Sequence, residues 1–304
     1  MKRKIFLFIG LFALIFSSFS ISVNAQSNTT FYTDASKSMS ITNVNDIEIT
    51  DEQYQYLSNF YTENAIMNMS QDKFNTEMNK KFTQTAVTQK YIKTITYVDS
   101  NGNATTNDYE VSKQEYNNPI ISRANNCTED FAVECWETTY KKLYMIIWGW
   151  GSNNVVEEER IVLMNEWKIM PSVRSYDVIG VRYYNWQATT AWGDQTAYSY
   201  DEGVNTTEYS YNGSNMNIQS NGVGISQNLY DYSSLYGLTN RIVVEGKVLS
   251  DHIGRYGSYQ HATQTVTLAQ SKNYTFGNGM GEVFLFNSGI GSYYDNMQGV
   301  SNAY

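Results

Sequence analysis

Two apolar runs joined by a short polar break constrain this chain more than anything else in it. Residues 136–150 read as one long strand and Gly151-Ser152-Asn153-Asn154 as a turn. Residues 155–170 read as the returning strand, with Ile161, Leu163, Trp167 and Ile169 on one face and Pro171 ending it. Further strands are expected over 175–184 and near 196–201, 206–212, 215–219, 223–229, 241–249, 263–269 and 282–286, with Asn-Gly turns at 212–213 and 221–222. Strands this frequent, with polar turns and no long helical period, point to a mainly β fold: an antiparallel β-sandwich or jelly-roll-like domain. Tyrosine-rich echoes recur, Ser175-Tyr176-Asp177 and Ser199-Tyr200-Asp201, without a fixed repeat.

The N-terminal part reads differently. Lys2, Arg3 and Lys4 precede the uncharged apolar run Ile5 to Phe16, and Val23-Asn24-Ala25 is a small-x-small cleavage pattern. Residues 1–25 are therefore expected to be a secretory signal peptide, because the apolar run falls well short of the roughly 20 residues that span a bilayer. Residues 26–45 read as a flexible polar leader. Residues 46–122 are expected to form a small helical module plus a β-hairpin, and residues 123–304 the β-sandwich domain. Thr50 with Gln53 makes a capping box. Hydroxyl N-caps at Thr62 and Ser70 start two more short helices, giving expected helices near 51–60, 63–68 and 71–80. The hairpin pairs 91–98 with 104–111 across Asp99-Ser100-Asn101-Gly102-Asn103. A calcium loop is the rival reading of that turn, but Ala104 stands where such a loop wants glycine.

Charge narrows the partners. The formal net charge is −9, and loss of the three basic residues of the leader makes it more negative. Such a surface repels phosphate backbones, so nucleic acid is not an expected partner, and docking on anionic lipid is disfavoured for the same reason. No later segment is long and apolar enough for a helical membrane span. After cleavage near Ala25 the chain is expected outside the cell, where the cysteines Cys127 and Cys135 are expected to pair as a disulfide.

The residues nominate no catalytic centre, no cofactor site and no metal site. The histidines are His252 and His261, without the spacing of a helical zinc site. There is no Gly-x-Ser-x-Gly elbow. Gly277-Asn278-Gly279-Met280-Gly281 precedes a strand instead of the helix a dinucleotide loop requires. Glu134, Glu137, Asp177 and Glu282 lie near or within strands and could serve as paired carboxylates for glycoside hydrolysis, although most such side chains face water. The aromatic residues are the better lead. Alternation places Tyr144, Ile146, Trp148 and Trp150 on one face and Leu143, Met145, Ile147 and Gly149 on the other. Either both faces are covered or one is an open aromatic platform, and burial is the commoner fate of large aromatics. Trp186 and Trp192, in a more polar stretch, are expected to be exposed. Trp148, Trp150, Trp186 and Trp192 are thus the candidate ligand-contacting residues.

Three stretches carry a resemblance. Residues 50–74, residues 167–180 (Trp167-Lys168-Ile169-Met170-Pro171 through Gly180) and Tyr256-Gly257-Ser258-Tyr259-Gln260-His261-Ala262 resemble a group of uncharacterised secreted proteins of Gram-positive bacteria. The resemblance implies an exported bacterial protein and carries over no catalytic residue. With it, the chain reads as a secreted, non-catalytic module that binds a cell-surface glycan or protein. A β-pore-forming toxin and an extracellular polysaccharide hydrolase are the alternatives.

Overall fold

The computed structural model describes residues 40–100, 103–120, 135–152, 155–277, 283–287, 289–296 and 298–303. The expected signal peptide, most of the leader, Cys127, Glu134 and Glu282 lie outside them. The protein is mainly β, 58% strand and 14% helix. It divides into two compact units between Phe74 and Asn75.

In the first unit, β1 (Ser40–Thr42) pairs antiparallel with β2 (Glu48–Thr50), and α1 (Asp51–Ser58) and α2 (Glu63–Met67) follow. α3 (Gln71–Asn79) runs across the division. Helix starts fall where the hydroxyl caps stand. Thr50 Oγ1 accepts the Gln53 N–H at 3.3 Å while Gln53 Oε1 accepts the Thr50 N–H at 2.9 Å, which satisfies two end amides at once. Asn43, expected in the flexible leader, is instead buried: its side chain donates to Met69 O at 2.8 Å and accepts from Ile47 N at 3.1 Å.

The second unit holds the sheets. Its strands are β3 (Thr83–Val98), β4 (Ala104–Val111), β5 (Cys135–Ser152), β6 (Val155–Ile169), β7 (Tyr176–Tyr184), β8 (Trp186–Ser199), β9 (Gly203–Ser210), β10 (Met216–Gln219), β11 (Gly222–Asn228), β12 (Leu235–Val248), β13 (Gly254–Gln260), β14 (Tyr274–Phe276), β15 (Phe284–Phe286) and β16 (Gln298–Ala303). Short helices α4 (Lys113–Asn117) and α5 (Leu268–Ser271) interrupt them. Among the described residues, a seven-stranded sheet runs β4-β3-β5-β6-β12-β8-β9 and a five-stranded sheet runs β10-β11-β7-β13-β16, every pairing antiparallel. Their facing residues form one core. Leu143, Met145, Ile147, Ile161, Leu163 and Ile242 come from the first sheet, and Ile179, Val181, Val223, Ile225, Tyr259 and Val300 from the second. This is the β-sandwich that the strand pattern implies.

Residue 122, where a boundary is expected, lies outside the described residues, and the compact units divide between Phe74 and Asn75. The hairpin β3–β4 is part of the large sheet, because β3 begins at Thr83 and pairs with β5 from Thr83↔Gly149 to Val98↔Cys135. The polar front half of β3 (TQTAVTQK) hides this in the sequence. Two further differences have local causes. The strand expected at 263–269 gives way to α5, whose capping box Thr267–Gln270 starts a helix. Upstream, the Ser175 hydroxyl takes the place of a neighbouring strand for both the N–H and the C=O of Val266 (2.8 and 3.1 Å). β13 (GRYGSYQ) escapes a search for apolar alternation because Arg255, Ser258 and Gln260 are polar, yet all three are buried.

The outer face of the five-stranded sheet carries a second core of Tyr274, Phe276, Phe284 and Tyr294 laid over Val178. Glycines on β7 and β11 let those rings approach the backbone. A Cβ on Gly180 would stand 2.8 Å from the Phe284 ring and 2.9 Å from Val223 O. Gly180→Ala is therefore expected to cost about 1–3 kcal/mol by overpacking. Its thermal midpoint should fall, and an unchanged midpoint would show that Phe284 moves aside freely.

Candidate functional site

The four tryptophans separate. Along β5, Leu143, Met145 and Ile147 enter the core while Tyr144, Ile146, Trp148 and Trp150 occupy the opposite face, half-buried. Trp150 is no open platform, since the Lys80 ammonium stands 5.4 Å above its ring and pairs with Glu158 at 2.6 Å. Trp192 is half-buried on the same face, 5.5 Å from the Arg160 guanidinium. Trp186, expected to be exposed, is in the core at 3% exposure, packed edge-on against Tyr183 at 4.8 Å. Asn185 takes a positive φ of 54° at the tight connection from β7. Trp186 therefore begins β8 facing inward, and its polar neighbours Gln187 and Thr189 face outward.

The paired-carboxylate reading fares similarly. Asp177 is fully buried and accepts hydrogen bonds from Tyr259 Oη and from Ala262 N at 2.9 Å, and His261 Nδ1 lies 3.0 Å from it. Trp167 Nε1 donates to Tyr259 Oη at 3.1 Å. Burial first, then the Asp177 carboxylate, holds the Tyr259 phenol well above the ordinary tyrosine value. Glu137 accepts from both the backbone N–H and the hydroxyl of Ser172 at 2.6 Å, and burial pushes its carboxyl up. Asp177, Tyr259 and His261 are buried and engaged with one another, and through Trp167 this network joins the two sheets, while Glu137 is half-buried and held by Ser172. Among the described residues, no group of three or more His, Cys, Asp or Glu side chains could hold a metal ion.

Aromatic surface does collect where β8, β9 and β12 meet. Tyr200, in the β8–β9 turn, is 80% exposed, and Tyr236 is 41% exposed. Their rings lie 4.5 Å apart at 35°, with Tyr198 6.2 Å from Tyr236. The chain builds this arrangement deliberately. Leu235 pairs with Ser199 and Gly237 with Tyr198, so Tyr236 is the extra residue of a β-bulge. A bulge re-aims a side chain away from the regular alternation. Opposite it, Gly237 leaves room for the Tyr198 ring, which would meet a Cβ there at 3.1 Å. The turn itself is pinned: Ser199 Oγ and Ser234 Oγ share a hydrogen bond of 2.6 Å, Ser199 Oγ accepts from Glu202 N at 3.1 Å, and Tyr200 N donates to Ser234 O at 3.2 Å.

A second pair, Tyr230 and Tyr232, stacks at 5.2 Å in the neighbouring loop, and Tyr230 Oη is hydrogen-bonded to Thr207 Oγ1 at 2.6 Å. Asp201, Glu202 and Asp231, next to these tyrosines in the sequence, are exposed acceptors. The repeated Ser-Tyr-Asp echo marked Tyr200 in the sequence. Nothing local marked Tyr236, because a bulge is a property of the paired strand.

The fold and this site define an antiparallel β-sandwich with a tyrosine platform at one end of its larger sheet. No family model matches the chain, and no curated protein matches it. Among the described residues, no helix is long and apolar enough to cross a membrane.

Proposed function

We propose that this chain is an exported, non-catalytic recognition module that binds a neutral glycan on a cell surface. The observation that carries the reading is the exposed Tyr200–Tyr236 pair. Two rings held by a bulge and a pinned turn cost little ordering entropy on binding, and each presents a flat face to the apolar C–H side of a sugar. The flanking carboxylates of Asp201, Glu202 and Asp231 accept from sugar hydroxyls and disfavour an anionic polymer. Export rests on the residue pattern of positions 1–25 and on the resemblance to secreted Gram-positive proteins. The expected Cys127–Cys135 bridge belongs to the same reading, and no described cysteine is a free thiol.

Retention on insoluble cellulose, chitin and starch tests the site. Wild-type protein should be retained by at least one of them. Tyr200→Ala and Tyr236→Ala should each weaken retention about tenfold, which corresponds to about 1.4 kcal/mol, while their thermal midpoints stay near wild type because both side chains are exposed. Failure of the wild type to bind any of the three, or equal retention by both variants, would remove this reading.

A further inference from the structure

We propose that Lys141 and Asp295 become joined by an intramolecular isopeptide bond between Lys141 Nζ and the side-chain carboxyl carbon of Asp295, formed with loss of water and with Asp108 as the proton carrier. Lys141, on β5 of the seven-stranded sheet, contacts Asp295 Oδ2, and both side chains are 1% exposed. Asp295 precedes β16 of the five-stranded sheet, 154 positions away. The Lys141 ammonium also lies 5.4 Å from the Trp167 ring and 5.6 Å from the Tyr259 ring, so aromatic surface walls the pair off from water.

A bare ion pair is a poor use of such a place. Desolvating two charges costs several kcal/mol per ion, and their attraction often fails to recover it. Condensation removes both charges. In water an amine and a carboxylic acid do not condense at neutral pH, because both ionise and each is free to diffuse. Here orientation is fixed, and effective molarities of about 10⁵–10⁸ M are attainable for such well-placed groups.

The surroundings supply each part of the step. Burial first pushes the Asp295 carboxyl up, against the pull of Lys141 and with help from Asp108, toward the protonated form that serves as electrophile. Burial also opposes the Lys141 ammonium, but the Asp295 and Asp108 carboxylates outweigh it and hold the amine's pKa up. The two directions compete for one proton. Passing that proton from Lys141 Nζ to Asp295 Oδ2 across the contact leaves an amine and an acid with no change in net charge.

Nζ then attacks the carboxyl carbon. The His261 backbone N–H, 2.9 Å from Asp295 Oδ1, stabilises the oxyanion that forms there. Asp108 Oδ1 accepts from the Thr94 hydroxyl, while its Oδ2 is buried with no hydrogen-bond partner among the described residues. That oxygen takes a proton from the attacking nitrogen and returns it to Oδ2 of Asp295. The C–Oδ2 bond breaks, water leaves, and the carbonyl re-forms as an amide, with Asp108 regenerated.

Peptide mapping of the reduced, denatured full-length protein tests this by mass spectrometry. The expected result is a branched peptide containing Lys141 and Asp295, lighter by one water than the sum of its parts, with tryptic cleavage after Lys141 lost. Lys141→Met should abolish the water deficit, and Asp108→Ala should accumulate linear peptides. Linear wild-type peptides at both positions would overturn the bond whether or not any variant folds. So would a deficit that persists in Lys141→Met, the mark of an aspartyl succinimide. Asp108→Ala crosslinking as completely and as fast as wild type would overturn the role given to Asp108.

Discussion

Arg160→Met lowers the unfolding free energy by about 3–5 kcal/mol, the range seen when one partner of a buried ion pair is removed. Arg160 sits mid-strand in β6 with 2% exposure, and its guanidinium meets both oxygens of Glu77 at 2.5 and 3.0 Å. The same group reaches Glu245 on β12 at 2.8 Å and lies 4.3 Å over the Phe82 ring. Methionine keeps most of the apolar contact and removes the charge. Glu77, fully buried on the last turn of α3, then lacks its guanidinium in a place that water cannot reach. Denaturant unfolding measures the loss. Glu77→Gln on top of Arg160→Met should recover part of it, because a buried carboxylate that has lost its guanidinium is replaced by a neutral amide, and the cycle gives the coupling. A midpoint for Arg160→Met indistinguishable from wild type would mean that Glu77 keeps its charge by some other contact.

The second large effect is expected at Asp177. Asp177→Ala removes the acceptor that serves Tyr259, His261 and Ala262 together. Leaving a buried donor unmade costs about 1–3 kcal/mol, so a loss on the order of 4 kcal/mol follows from several such groups. Asp177→Asn keeps the shape and one acceptor oxygen, and its loss should be about half as large, since part of the network survives. Thermal or denaturant unfolding reads both. Equal stability of Asp177→Ala and wild type would show that the network adds nothing to the sandwich.

Much of the architecture was legible because strand signals are local. Long runs with β-branched and aromatic residues, broken by Gly151-Ser152-Asn153-Asn154 and by Pro171, marked β5, β6 and β7 within a residue or two. Hydroxyl caps marked α1 to α3 for the same reason, since a cap and its amide lie three residues apart. β13 was missed because pairing partners, not its own residues, make it a strand: β7 and β16 flank it on both sides. Trp186 was misplaced because neighbouring polarity says little about which face a residue takes once a turn resets the alternation.

What the sequence by itself determined is a β-rich chain, the starts of its first three helices, and an acidic, tyrosine-rich surface; these depend on contacts within a few residues or on composition alone. The tertiary structure decided which polar residues went inside and which aromatic residues stayed out. Asn165, Asn240 and Gln227 are fully buried in a chain of amide hydrogen bonds that ends on the Asp194 carbonyl, and Tyr236 is turned outward by one extra residue in β12. Burying a polar side chain is costly unless a partner is waiting, and here most of the partners come from strands far away in the sequence.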